Sequence, residues 1–192
     1  MLATKRCEWA LHNELMKKYH DTEWGVPQHD DKVLFEFLIL EGMQAGLSWD
    51  TILKKRDNFR KAFDNFDYAK IANYSEDKIE ILLQNKGIIR NRLKLQSVIS
   101  NAKAFLSIQN EFNTFDKYIW SFINYKPLVN TWFSLNEIPS NTELSEKISN
   151  NLKKKGFKFI GTTIIYAFMQ AVGLVNDHTT YCFRYEEIKK LY

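Results

Sequence analysis

Three observations predict an all-α fold. Apolar residues recur at helical spacing along most of the chain, and no convincing run of alternating apolar and polar residues appears. Gly 7 and Pro 3 are also too few, for 192 residues, to build a turn-rich β sandwich. The elements follow in order. Residues 32–45 read as a helix with Leu34, Phe37 and Leu38 on one face. Ser48 is placed to cap the next helix, which carries Trp49, Ile52, Leu53 and Phe63. Ser75 is placed to cap a short helix bearing Ile79, Leu82 and Leu83, with Gly87 expected as its C′ residue. A longer helix carries Leu95, Val98, Ile99, Ala102 and Phe105, and residues 115–123 form another short one. Residues 124–141 hold Pro127 and Pro139 and read as an irregular connection. Residues 142–155 are helical, with Leu144, Ile148 and Leu152 on one face. They end in Lys153-Lys154-Lys155 before Gly156, where cations suit the negative end of the helix dipole. Residues 162–172 are apolar nearly all round and close at Gly173, which predicts the buried central helix.

The length suits a single compact domain over residues 1–192, or two closely packed helical lobes. With 45% apolar and 26% charged residues, the chain is neither disordered nor a small disulfide scaffold. No apolar run reaches the ~18 residues of a membrane span. The stretch Met1–Glu8 lacks an apolar signal core, so a cytoplasmic protein is expected. The net charge of +4 only nudges toward an anionic partner. Its distribution says more. Basic residues cluster at Lys54, Lys55, Arg56, Arg60 and Lys61, at Lys86, Arg90, Arg92 and Lys94, and at Lys153, Lys154, Lys155 and Lys158, while the acidic residues are spread out.

Four constellations carry chemistry. Cys7 and His20 are spaced C-x12-H, and His178 and Cys182 are spaced H-x3-C. Two Cys and two His make a closed tetrahedral zinc set, structural rather than catalytic. Two free thiols and two ordinary histidines fit the spacing as well. Glu41 falls three and seven residues after Leu38 and Leu34, on their apolar face, beside Gly42 and Gly46. It is either a ligand-binding carboxylate or a helix-end glutamate that bends out to solvent. Trp9, Tyr19, Trp24 and Trp49 lie near these groups in sequence. Rings beside a carboxylate suit a cationic aromatic ligand, although each ring taken singly suits a core. Finally, Leu83 to Arg90 reads as a helix-Gly-helix turn followed by basic residues, able to hold a phosphate on backbone N–H groups.

The strings Tyr19-His20-Asp21-Thr22-Glu23-Trp24-Gly25-Val26-Pro27, Leu40-Glu41-Gly42-Met43-Gln44-Ala45-Gly46-Leu47-Ser48-Trp49 and Gly156-Phe157-Lys158-Phe159-Ile160-Gly161-Thr162-Thr163 resemble the 3-methyladenine DNA glycosylase I family. Phe168-Met169-Gln170-Ala171 and Gly173-Leu174-Val175-Asn176-Asp177-His178 complete the likeness, which runs in order from about Arg6 to Cys182. The resemblance implies a helix-hairpin-helix glycosylase fold with one structural zinc per chain. Cys7, His20, His178 and Cys182 would hold that zinc and clip the terminal segments together, remote from the chemistry. Glu41 is then the catalytic and base-binding carboxylate, with Trp9, Tyr19, Trp24 and Trp49 around a flipped base. Gly46-Leu47 becomes the loop that enters the duplex, and Lys86, Gly87, Ile88 and Arg90 become the phosphate-binding hairpin. Met16 stands where some members carry a pocket tyrosine. No acidic residue lies between Gly87 and Asn110, in keeping with a family that lacks the aspartate usual after the hairpin.

The chemistry is consistent with these parts. N3-methylation makes adenine in DNA a cation and a good leaving group, and a damaged base costs less to extrude. Water then releases free 3-methyladenine and leaves an abasic site. No lysine nucleophile is evident, so a monofunctional, monomeric enzyme on double-stranded alkylated DNA is expected. The competing readings are a non-catalytic zinc protein for distorted DNA, which need not keep Glu41, and a helical enzyme for a free cationic purine, which need not keep the basic clusters.

Overall fold

A computed structural model describes residues 4–191. The first three residues of the N-terminal stretch read for a leader, and Tyr192, lie outside the described residues. The helices are α1 (Glu14–Thr22), α2 (Asp31–Gln44), α3 (Trp49–Ala62), α4 (Tyr68–Ile71), α5 (Glu76–Gln84), α6 (Arg92–Phe112), α7 (Phe115–Ser121), α8 (Glu143–Lys154), α9 (Thr162–Ala171) and α10 (Phe183–Lys189). Short 3-10 turns add Glu8–His12, Asp64–Phe66 and Leu135–Glu137.

Helix α2 is the axis of the molecule. Its ten consecutive residues from Leu34 to Met43 are buried, and it packs against α3, α6, α7 and α9. The sequence reading gave the central place to residues 162–172 and a single apolar face to α2. The structure shares the centre between the two helices. Two glutamates, Glu36 and Glu41, interrupt the apolar pattern of α2 and disguise its full enclosure. Asp30, which the sequence reading passed over, caps it by accepting from the N–H groups of Lys32 and Val33.

The expected caps are found at Ser48, which accepts from Thr51 N–H, and at Ser75, which accepts from Lys78 N–H. Thr142 and Ser145 close a reciprocal box at the start of α8. Gly156 (φ +98°) and Gly173 (φ +73°) end α8 and α9 in the left-handed region. At Gly173 a Cβ would also lie 2.5 Å from Pro27 N, so this glycine lets the end of α9 meet the 25–27 segment backbone to backbone.

The all-α expectation holds for the fold as a whole, with one very small sheet added. The chain is not wholly without strands: β1 (Leu128–Val129) and β2 (Val175–Asn176) pair in parallel, extended by a bridge from Trp132 to Thr179. Strands of two residues are too short to show alternation. Among the described residues, no helix is long and apolar enough to cross a membrane.

Candidate active site

A cavity of about 380 Å³ opens between α1, α2 and the first turn of α3 on one side and α9 on the other. Trp9, Tyr19, Trp24, Glu41 and Trp49, the five residues singled out from the sequence, all line it. The rings enclose it from several directions. Trp9 meets Trp24 nearly at right angles with centroids 5.0 Å apart, and Tyr19 lies 5.5 Å from Trp49. Met16 also faces the cavity, a flexible thioether among rings.

Glu41 does not bend out to solvent. It is 3% exposed, and its Oε2 has no hydrogen-bond partner among the described residues. The same is true of the indole N–H of Trp49. Burial pushes the Glu41 carboxyl up to about 8. A buried acceptor and a buried donor left open on one cavity are what a polar ligand satisfies.

Sequence reasoning missed the opposite wall, made by Thr163, Tyr166, Ala167 and Gln170 of α9 with Leu135, Ile138, Pro139 and Ser140. Asp177 organises it. Its buried carboxylate accepts from Tyr166 Oη at 2.6 Å, Gln170 Nε2 at 2.8 Å, Asn130 Nδ2 at 2.7 Å and Trp132 Nε1 at 2.8 Å. Four donors replace the water this charge gives up. Gln170 and Asp177 entered the sequence reading only within the family-like strings, because two of the four donors to Asp177, Asn130 and Trp132, lie more than forty residues away.

Cys7, His20, His178 and Cys182 converge, all buried, with their ligand atoms within 4.8 Å of one another. Cys7 Sγ lies 3.6 Å from His178 Nδ1, and Cys182 Sγ lies 3.4 Å from His20 Nε2 and 3.6 Å from His178 Nδ1. A tetrahedron with metal–ligand bonds of 2.0–2.3 Å has edges of about 3.3–3.8 Å, so the donor set fits zinc in type and these three separations fit it in size. The second ring nitrogens are occupied: His20 Nδ1 is 2.7 Å from Asp21 Oδ1, and His178 Nε2 is 3.2 Å from Trp24 O. Asp21 is fixed in turn by Arg6 at 2.8 Å. Burial also pushes the His178 pKa down, toward the neutral ligand form. Residues 178–182 form a turn rather than a helix, with Cys182 N–H donating to Thr179 O. The expectation that this cluster is remote from the chemistry is corrected. The ring of His178 lies 4.6 Å from Trp24 and that of His20 lies 5.3 Å from Trp9, so the cluster backs directly onto the cavity wall.

The turn between α5 and α6 keeps its place but changes its logic. Gly87 is not a C′ residue in the left-handed region: Asn85 caps α5, and Gly87 is absent from the positive-φ glycines. Space is what restricts it. An added Cβ would lie 3.0 Å from Asn58 Cγ and 3.0 Å from Asn85 Oδ1, the atom that accepts from Gly87 N–H. Gly87→Val is therefore expected to break that bond and weaken DNA binding about fivefold. Binding of free 3-methyladenine should be unaffected. Equal DNA affinity in a filter-binding titration would show that the turn does not touch DNA.

Of the four basic residues there, Lys86 and Arg90 are exposed and make no ion pair among the described residues. Arg92 is spent on Glu76 and Glu80, and Lys94 is buried. The Ile88 side chain is buried, so only its backbone is available to a phosphate. Gly46 (φ +79°) and Leu47 are exposed on the turn after α2, beside a smaller cavity that also reaches Glu41.

The profile of the methyladenine glycosylase family matches residues 9–185. DNA-3-methyladenine glycosylase 1 of Escherichia coli (strain K12) is 51% identical over 178 residues, which span 93% of this chain and 95% of that protein. The crystal structure of a 3-methyladenine DNA glycosylase I superposes with a TM-score of 0.91 at 51% identity, covering 93% of this chain and 98% of that one. A crystal structure of a variant of 3-methyladenine DNA glycosylase I in complex with 3-methyladenine gives a TM-score of 0.90 at 32% identity, covering 93% and 96%. Likeness of this extent, in sequence and in backbone alike, joins the aromatic cavity and its carboxylate to one lineage: the chain belongs to the methyladenine glycosylase family.

Proposed function

We infer that the chain is a DNA glycosylase of base excision repair, which hydrolyses the N-glycosidic bond of 3-methyladenine in alkylated DNA and leaves an abasic site. The observation that carries this reading is the unpartnered Glu41 carboxyl in a cavity walled by rings. The methylated base is a cation while attached to DNA. The rings attract it through their faces, Glu41 accepts its amino group and matches its charge, and neutral adenine lacks the second gain. The base already leaves well, so its protonation is not required and water completes the cleavage. No lysine lines the cavity among the described residues, which favours a monofunctional enzyme.

Four further assignments belong to the same reading. Cys7, His20, His178 and Cys182 hold one zinc, which supplies structural closure because all four positions are filled by protein. Gly46 and Leu47 enter the duplex where the base has left. Lys86, Gly87, Ile88 and Arg90 form the hairpin of a helix-hairpin-helix and bind backbone phosphate with a strong salt dependence. The enzyme acts as a monomer on double-stranded DNA, in the cytoplasm at the nucleoid. The test is chromatography of bases released from methylated DNA. Free 3-methyladenine with intact strands is expected. No released base would overturn the enzyme, and strand breakage on excision would overturn its monofunctional character.

A further inference from the structure

Lys94 is a cation in an unexpected place. It lies in the first turn of α6, the end of a helix that disfavours positive charge, and it is only 7% exposed. Burial pushes its pKa below the ordinary lysine value. Among the described residues no carboxylate pairs with it. Its Nζ donates instead to Met43 O at 2.9 Å and Ala45 O at 2.7 Å. These carbonyls belong to the C-terminal end of α2, where backbone acceptors are left over and the dipole favours a cation. They bracket Gln44, whose own carbonyl accepts from Leu47 N–H at 2.6 Å. Gly46 turns the chain between them. The turn reaches two spaces: Gln44 lines the base cavity and Leu47 projects to solvent, and both also border the smaller cavity. Asn91, at the end of the 85–91 turn, accepts from Lys94 N–H, so the lysine ties that turn to the 45–47 turn.

We propose that Lys94 is a positioning residue for base extrusion: its ammonium fixes the turn from Gln44 to Leu47, so that Leu47 meets the duplex already in place. The proposal rests on the reading of Gly46-Leu47 as the segment that enters DNA. Ordering a loose turn at the moment of binding costs affinity and rate, and a fixed turn avoids that cost. Lys94→Met keeps the apolar stem and removes the charge and its donors. It loses charged hydrogen bonds and should lower excision from duplex DNA by about ten- to a hundredfold. Glu41 and the rings stay in place, so affinity for free 3-methyladenine should hold.

A double-mutant cycle tests this, with single-turnover excision for wild type, Lys94→Met, Leu47→Ala and the double variant, and free-base binding measured on each. The expected result is that each single variant is impaired, the double is no worse than the weaker single, and all four bind free base alike. If Leu47→Ala excises at the wild-type rate, the assignment of the DNA-entering turn fails. If Leu47→Ala is impaired but the two losses multiply, that assignment stands and the role of Lys94 fails. Wild-type excision by Lys94→Met, or loss of free-base binding in a folded Lys94→Met, also overturns it. Should Lys94→Met not fold, Lys94→Gln enters the same cycle with the same outcomes.

Discussion

Glu41→Gln is expected to slow excision of 3-methyladenine from DNA by about ten- to a hundredfold and, at the same time, to make the protein more stable. The two effects share one cause. Burial raises the carboxyl from 4.5 to about 8. Between those values the unfolded chain gives up this proton and the folded chain keeps it, so stability from this group is full at low pH and is lost as pH rises through about 8. Glutamine has no such proton. The variant's advantage in Tm should therefore grow with pH across that window and level off above it. Catalysis runs the other way. The ionised carboxylate is the form that matches a cationic base, so wild-type kcat/KM should climb toward pH 8, and the glutamine variant should lose that limb. Melting curves and kcat/KM measured at several pH values check both halves. Equal loss of binding to undamaged DNA would make Glu41 structural, and unchanged excision would remove it from the site.

Cys182→Ser should release the metal and lower Tm by about 10 °C or more, since a site of four buried ligands contributes its binding energy to folding. The damage should not stop at stability. His178 touches Trp24, and His20 touches Trp9. Slackening these histidines loosens two walls of the cavity, so affinity for the base should fall several-fold. The preference for 3-methyladenine over adenine should survive, because Glu41 sets it from another helix. Elemental analysis should find one zinc per wild-type chain. Its absence from carefully purified protein would sink the assignment.

Much of this architecture was legible in the sequence because helices are local. Periodicity and caps located α2, α3, α5, α6, α8 and α9 to within a few residues. The helices α1, α4 and α10 passed unread; α1 is as long as α5, but it buries only Met16, Tyr19 and His20, so no aliphatic run marks its period. The cavity was half legible for the same reason. Glu41 betrayed itself as a carboxylate on an apolar face, and the rings lie near it in sequence. Yet Glu36, on the same helix, is a buried glutamate too. It is matched by Arg56 at 2.6 Å and Arg60 at 2.8 Å, from another helix. Only the fold distinguishes the satisfied glutamate from the unsatisfied one. The basic clusters teach the converse. Arg56, Arg60, Arg92 and Lys94 counted toward a nucleic-acid surface, but each is engaged within the protein. Asp177 and the α9 wall carried no local signal, because their function is to join distant segments.

The wiring of the cysteine–histidine cluster has a consequence for how the protein is made. Cys7 pairs with His178 across 171 positions, and His20 with Cys182 across 162. The cavity is divided in the same way: Trp9, Tyr19, Trp24 and Glu41 emerge early in synthesis, and Tyr166 and Gln170 emerge late. Contacts this distant in sequence form slowly and close last. A chain still leaving the ribosome holds two of the four clustered cysteine and histidine side chains and one of the two cavity walls. It has no means of gripping a base, so nucleic acid near the site of synthesis meets an incomplete reader. The cavity is complete only when the segment bearing Tyr166 and Gln170 docks on the one bearing Trp9 to Glu41.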